Sequence, residues 1–306
     1  MLDVRVRRPV APADVATIHR LAALAEEADG HPSLGDSVWR DLAQPSARSA
    51  VVVATMHGEP VGALHVAPPE NDGDAVLTMA TVVVPEHRDD DVERGLLEVA
   101  LADPVLDGQR VRLWVFGADE RADQLARALG FALERELRQM RVPLPLAEEP
   151  RWPNDVDVRA FRVGADERTW LDVNNRAFAE DPDQHGWTLE TLRRREAEPW
   201  FDPAGFLLAW RGGALAGFCW TRLHAPSPPH EPATLGEIYV IGVDPAHQGI
   251  GLGRALVVGG LHALFERAAT AGMLFVDAAN TAAVALYEGL GFTTTRVDRA
   301  YLRAAS

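Results

Sequence analysis

A mixed α/β fold, made of two tandem copies of one strand–helix–strand module, is the architecture that the sequence predicts. Three observations predict it. Short β-branched runs such as Val51-Val-Val53 and Ile238-Tyr-Val-Ile-Gly-Val243 alternate with stretches of helical periodicity along the whole chain. Motifs recur in the same order at a nearly constant offset: Pro85-Glu-His-Arg88 matches Pro245-Ala-His-Gln248, Leu113-Trp-Val115 matches Leu274-Phe-Val276, and Leu129-Gly-Phe131 matches Leu290-Gly-Phe292. Between the copies, residues 143–154 read Pro-Leu-Pro-Leu-Ala-Glu-Glu-Pro-Arg-Trp-Pro-Asn, the composition of a linker. The expected division is a domain over 1–146, a linker over 147–154 and a second domain over 155–306.

The elements follow in order. Val4 to Arg8 alternates as a strand, and Ala11-Pro-Ala-Asp14 opens a helix through Ala25. A second helix starts near Val38. Ser49–Met56 and Val61–Val66 form a hairpin around His57-Gly58. Val76–Val84 is a strand, Val92–Ala102 a helix, Val111–Phe116 a strand, Asp119–Leu129 a helix and Glu136–Val142 a strand. The second copy repeats the plan. Val156–Phe161 is a strand, and helices follow over Ala165–Phe178 and after Thr188. Gly205–Trp210 pairs with Ala216–Arg222, and the apolar strand Ile238–Val243 leads into a helix over Ala255–Ala269. Met273–Asp277, Thr281–Leu290 and Arg296–Leu302 close the pattern as strand, helix and strand.

The 306 residues carry a net charge of −15, with 47% hydrophobic and 25% charged residues. Two soluble cores fit that length and composition. All the positive charge is arginine, and it forms no basic cluster that could neutralise nucleic-acid phosphates. The lone cysteine, Cys219, excludes an internal disulfide and reads as a small buried hydrophobe. No apolar run has transmembrane length, and the histidines lack metal-ligand spacing. A cytoplasmic monomer without metal, membrane or nucleic-acid partner is expected.

Residues 236–256 concentrate the chemistry. A buried strand ends at Asp244-Pro245, and Gln248-Gly-Ile-Gly-Leu-Gly-Arg254 then opens a helix. Glycines allow close backbone approach and the first helical N–H groups point at a ligand, so this turn is a candidate anion site. Its spacing is neither a dinucleotide fingerprint nor a P-loop. Glu237 stands at the mouth of the strand, where a carboxylate can act as a general base toward an amine. The backbone of Ile241, Gly242 and Val243 could orient a carbonyl group.

Gln248-x-x-Gly251-x-Gly253 after a strand resembles the pyrophosphate loop of the GNAT acetyltransferases, which use acetyl-CoA. The resemblance implies that Gln248, Gly249, Ile250, Gly251, Leu252, Gly253 and Arg254 hold the pyrophosphate and that Ile241–Val243 bind the pantetheine. Ala283-Val-Ala-Leu-Tyr-Glu-Gly-Leu-Gly-Phe292 resembles the segment whose tyrosine meets the CoA sulfur, which implies that role for Tyr287, with Asn280 facing the ligand. In the first copy Asp89, Asp91 and Glu93 replace the glycines, Leu77 stands for Glu237 and Ala126 for Tyr287. A carboxylate about 4 Å from a pyrophosphate costs on the order of a few kcal/mol at an effective dielectric near 20. A loop amide returns roughly 1 kcal/mol. The first copy is therefore expected to shape the site without holding CoA in this loop.

The tandem arrangement, with Val173-Asn-Asn-Arg-Ala-Phe178, Asp181-Pro-Asp-Gln184, Gly186-Trp-Thr188 and Glu198-Pro-Trp-Phe-Asp-Pro203, resembles the mycothiol synthase family. That resemblance implies acetylation of the cysteinyl amine of cysteinyl-glucosaminyl-inositol, an amine-bearing pseudodisaccharide. It also implies acceptor contacts at Asp36, Asp183, Arg222, Glu237 and Phe275. Arg222 stands where the family has lysine, Phe275 where it has tyrosine, and the two aspartates where it has glutamate. An acetyltransferase of another small amine, and a non-catalytic acetyl-CoA-binding module, are the alternatives to that reading.

Overall fold

The computed structural model describes residues 1–68, 76–88, 90–179, 181, 186–227, 230–231 and 233–305. In chain order the elements are β1 (Leu2–Arg7), α1 (Pro12–Asp29), α2 (Asp36–Ala43), β2 (Ala50–Met56), β3 (Glu59–Ala67), β4 (Val76–Val83), α3 (Asp90–Leu101), β5 (Arg110–Val115), α4 (Glu120–Ala128) and β6 (Ala132–Pro143). They continue with β7 (Val156–Ala160), α5 (Glu167–Ala177), α6 (Leu189–Glu196), β8 (Phe206–Arg211), β9 (Ala214–His224), β10 (Leu235–Val243), α7 (Leu252–Glu266), β11 (Ala271–Asp277), α8 (Thr281–Glu288) and β12 (Thr293–Arg303). Each predicted element is present. The largest shifts, four residues each, are at the start of β6, which begins at Ala132, and at the end of α1, which runs to Asp29 before Gly30 ends it at φ 70°.

Two compact units form, and they do not follow the halves of the chain. Unit 1 holds Met1–Arg138, Asp277–Asn280 and Arg296–Ser306, and unit 2 holds Gln139–Val276 and Thr281–Thr295. The expected boundary at 147–154 is thus replaced by a discontinuous one. The reason is hydrogen bonding: β12 pairs antiparallel with β5, from Arg299↔Val115 to Arg303↔Val111. Tyr301 Oη and Arg299 Nη1 also donate to the Asp123 carboxylate on α4, at 2.6 and 3.1 Å. The proline-rich stretch is no free spacer. His262 Nε2 lies 2.8 Å from the Glu148 carbonyl, and Trp152 packs so closely on Gly259 that a Cβ there would stand 2.7 Å from its ring.

Unit 1 orders its strands β1-β2-β3-β4-β5-β12. Neighbours from β1 to β4 are antiparallel and β4–β5 is parallel. Helices α1 and α3 supply Ile18, Leu21, Val92, Leu96 and Leu97 to its core. The β2–β3 turn at His57-Gly58 has two positive φ angles, 54° and 88°, which match the twist of a tight hairpin.

Unit 2 orders β7-β8-β9-β10-β11-β6. Strands β7 to β10 are antiparallel neighbours and β10–β11 is parallel. Alternation along β9 decides which helix meets which face. Cys219 and Thr221 turn to α7, where Gly260 leaves room for the Cys219 sulfur. Phe218 and Trp220 turn the other way, into an aromatic cluster with Trp170 of α5 and Phe206. Each such ring buries about 150–250 Å². That rigid cluster fixes the strands on which the site is built.

Candidate active site

The parallel register of β10 and β11 covers three pairs, Leu235↔Ala271, Gly236↔Gly272 and Glu237↔Met273, and then stops. Beyond it β10 runs six more residues to Val243, still paired to β9 on its other side. One edge of β10 therefore carries backbone N–H and C=O groups that no strand among the described residues takes. Ile241, Gly242 and Val243 lie on this open edge and are only half-buried. Such an edge can bind an extended amide chain by adding it as a strand.

The open edge leads into the glycine turn. Asp244 is buried and its carboxylate accepts from Ala246 N at 2.9 Å and from Arg176 at 3.0 and 2.5 Å. Burial alone would raise its pKa. The Ala246 N–H and the Arg176 guanidinium outweigh that and hold it below the usual range. The start of the turn is thereby fixed to α5. Gly249 and Gly251 have φ of 79° and 83°, and added Cβ atoms would meet nothing within 4 Å. Backbone conformation, not crowding, requires glycine there, and the space in front is open. Gly253 sits in α7 without positive φ, so the turn needs two of the three glycines. Gly251 is the N-cap of α7, and no side chain caps the helix. The first N–H groups of α7 consequently face outward as a ready anion site.

Glu237 is buried, with its side chain 9% exposed. His224 Nε2 lies 2.7 Å from Glu237 Oε2. Across the β9–β10 register Glu237 faces Arg222 directly. The Arg222 guanidinium instead lies 4.8 Å over the Trp200 ring, and its Nε is buried without a hydrogen-bond partner. Trp200 packs edge-on against Tyr239, with ring centres 4.9 Å apart. The register slips between Ile238 and Val240, which makes Tyr239 a bulge residue beside Glu237. On β11, Phe275 is 40% exposed, two residues beyond the register partner of Glu237.

Tyr287 is buried on α8 against Phe292, and among the described residues no group hydrogen-bonds its hydroxyl. Burial, with a smaller contribution from Cys219, pushes its phenol well above the usual value. Cys219 is buried and its thiol is pushed up to about 12 by desolvation, so it is inert. Arg254 Nη2 reaches Gly289 O at 3.4 Å, which sets the end of α8 beside the start of α7.

Unit 2 thus unites Glu237, Ile241–Val243, Gln248–Arg254, Arg222, Phe275 and Tyr287. Asn280 falls in unit 1, where its N–H donates to Asp277 O at 2.9 Å. Asp36 is also in unit 1, exposed at the first position of α2. Asp183 lies outside the described residues, as does Asp89. Glu93 accepts from Thr81 Oγ1 at 2.9 Å and, with Asp29, Asp119 and Phe116, lines a cavity of about 220 Å³ in unit 1. Of these carboxylates, Glu93 is the one that the sequence repeat sets opposite Gly253. Sequence reasoning missed His224, Trp200, Tyr239 and Arg176. For His224 a signal existed: it falls two residues after Arg222 on an alternating strand, hence on the same face.

Split parallel strands before a glycine turn and an uncapped helix define an acetyltransferase of the GNAT class. The acetyltransferase (GNAT) family matches residues 160–292. The tandem GNAT protein from the clavulanic acid biosynthesis pathway superposes with a TM-score of 0.69, at 18% identity over 100% of this chain and 99% of that one. In sequence, the mycothiol acetyltransferase of Thermobispora bispora is 43% identical over 99% of this chain and 100% of its own. That of Thermomonospora curvata is 44% identical over 93% of each. The chain belongs to the mycothiol acetyltransferase family.

Proposed function

We propose that this protein acetylates the cysteinyl amine of cysteinyl-glucosaminyl-inositol with acetyl-CoA, giving mycothiol, and that unit 2 carries the chemistry. The carrying observation is the parallel register that stops at Glu237↔Met273, setting a buried carboxylate at the head of an open strand edge. The free edge and the uncapped α7 fit a ligand with an amide arm and a pyrophosphate. Ile241–Val243 would hold the arm, and the amides from Gly249 to Arg254 the pyrophosphate. Acetyl-CoA supplies an acyl group already activated as a thioester.

The remaining work falls to side chains. An α-amine with pKa near 8 is mostly protonated at neutral pH, and freeing it costs only about 1 kcal/mol. Glu237 takes that proton. Tyr287 keeps its own proton because burial raises its pKa, so it acts by donating a hydrogen bond toward the departing thiolate. Arg222 on Trp200 forms a planar, positively charged face for the hydroxyl-rich part of the acceptor. The same stacking favours a second reading, in which the acceptor is another small amine, because a stacked fork cannot reach as a free lysine does.

CoA release should be followed with acetyl-CoA and cysteinyl-glucosaminyl-inositol, beside amino acids, polyamines and aminoglycosides. Fast turnover with the pseudodisaccharide alone supports the first reading, and preference for another amine supports the second. Tight acetyl-CoA binding without turnover of any amine would overturn both. Glu237→Gln should lower kcat by about 10²–10⁴-fold.

A further inference from the structure

We infer that His224 is the positioning residue that fixes the Glu237 carboxylate and aims its free oxygen at the acceptor amine. The inference rests on the reading of Glu237 as the base. A carboxylate taken out of water needs hydrogen bonds to replace the lost solvation and to hold its orientation. Glu237 is in that position, and two residues of β9 could help it. Arg222 is its direct register partner, but its guanidinium is turned onto Trp200. His224 pairs with Leu235, one step along the same face, and its Nε2 stands 2.7 Å from Glu237 Oε2. Among the described residues it is the one hydrogen-bond partner of that carboxylate.

The geometry divides the work between the two oxygens. Nε2–H donates to Oε2, which fixes the carboxylate plane, and among the described residues Oε1 has no partner. Acetylation of an ammonium by a thioester yields amide, thiol and one proton, and Oε1 is the atom that takes this proton from nitrogen. The histidine side chain is 29% exposed against 9% for the glutamate. The dyad therefore runs from solvent to the base, with the imidazole as its outer member. The chemistry it serves is that of a primary amine bound as the ammonium ion.

The test compares three substitutions in the full chain. His224→Leu removes the donor, and His224→Gln supplies an amide N–H that can reach the same oxygen. His224→Ala opens a space for free imidazole. His224→Leu should lower kcat by about 30-fold or more with acetyl-CoA affinity by calorimetry unchanged, while His224→Gln retains activity within about 5-fold. Millimolar imidazole should raise kcat of His224→Ala and leave His224→Leu unaffected. Infrared difference spectra against Glu237→Gln should show the Glu237 carboxylate stretching bands shifted in His224→Leu and restored in His224→Gln, as expected for a hydrogen bond lost and regained. Equal activity of His224→Leu and the parent, with Glu237→Gln inactive, overturns this inference alone. An active Glu237→Gln overturns the base assignment beneath it.

Discussion

Arg254 Nε and Nη2 meet the two oxygens of Glu148 at 2.8 and 2.7 Å, so a residue of the anion turn is already paired to a carboxylate. The hydrogen bonds of this pair lower the Glu148 pKa and raise that of Arg254. A CoA phosphate that uses Arg254 has to displace Glu148. Glu148→Ala should therefore tighten acetyl-CoA binding by about 2–5-fold at low salt, an effect that fades as salt screens it. Arg254→Ala should weaken binding. Calorimetric titration at two ionic strengths reads both, and weaker binding in Glu148→Ala would show that the carboxylate prepares Arg254 rather than competing for it.

Tyr287 gives a clean separation of chemistry from stability. Its ring is packed in the core, but among the described residues no group hydrogen-bonds its hydroxyl. Tyr287→Phe should leave Tm within about 2 °C and KM for acetyl-CoA little changed, while kcat falls by about 10–100-fold. A Tm loss matching the activity loss would make the hydroxyl structural.

Gly251→Ala tests whether the turn needs glycine for its backbone. At φ 83° the new Cβ meets no neighbour, so conformation alone is penalised. The expected cost is about 1–2 kcal/mol of stability, together with weaker acetyl-CoA binding as α7 starts differently. Gly253→Ala, at a position without positive φ and with Val243 Cγ2 3.8 Å from the added Cβ, should cost less stability. Thermal melts with and without acetyl-CoA distinguish the two.

Asp166 sets an acid limit on unit 2. Its carboxylate accepts from Arg159 at 2.6 and 2.8 Å and from Arg162 N at 2.8 Å. The Arg159 hydrogen bonds are the main cause of a pKa held below the ordinary carboxylate value, against the opposing effect of burial. A depressed folded pKa means that the contribution is complete above about pH 4, the unfolded value, and is lost as pH falls through the folded one. Asp166→Asn should lower stability at pH 7 by about 1–3 kcal/mol and flatten its decline below pH 4. Urea melts from pH 7 to pH 3 measure it.

Local patterns made much of this legible. A continuous apolar, β-branched run placed Ile238–Val243 as a strand, and three glycines after Pro245 marked the turn, because both signals depend on neighbours in sequence. The repeat offset exposed the two-module plan for the same reason. Partners distant in sequence were not legible. Nothing in residues 143–154 says that Glu148 will meet Arg254 or Trp152 will press on Gly259. Likewise His224 and Glu237 meet only because the β9–β10 register places them two positions apart on one face. The discontinuous make-up of unit 1 was hidden on the same ground, since β12 joins β5 across a long separation in sequence.

That last strand has a consequence for synthesis. A ribosome delivers unit 1's first five strands early, but the edge of β5 stays without β12 until residue 303 has emerged. Exposed strand edges invite wrong pairings. The first unit to begin folding is therefore the last to be completed. A chain stopped after unit 2's helix α8 would carry an intact glycine turn together with an unfinished unit 1, and should be prone to aggregate rather than to act as a half-enzyme.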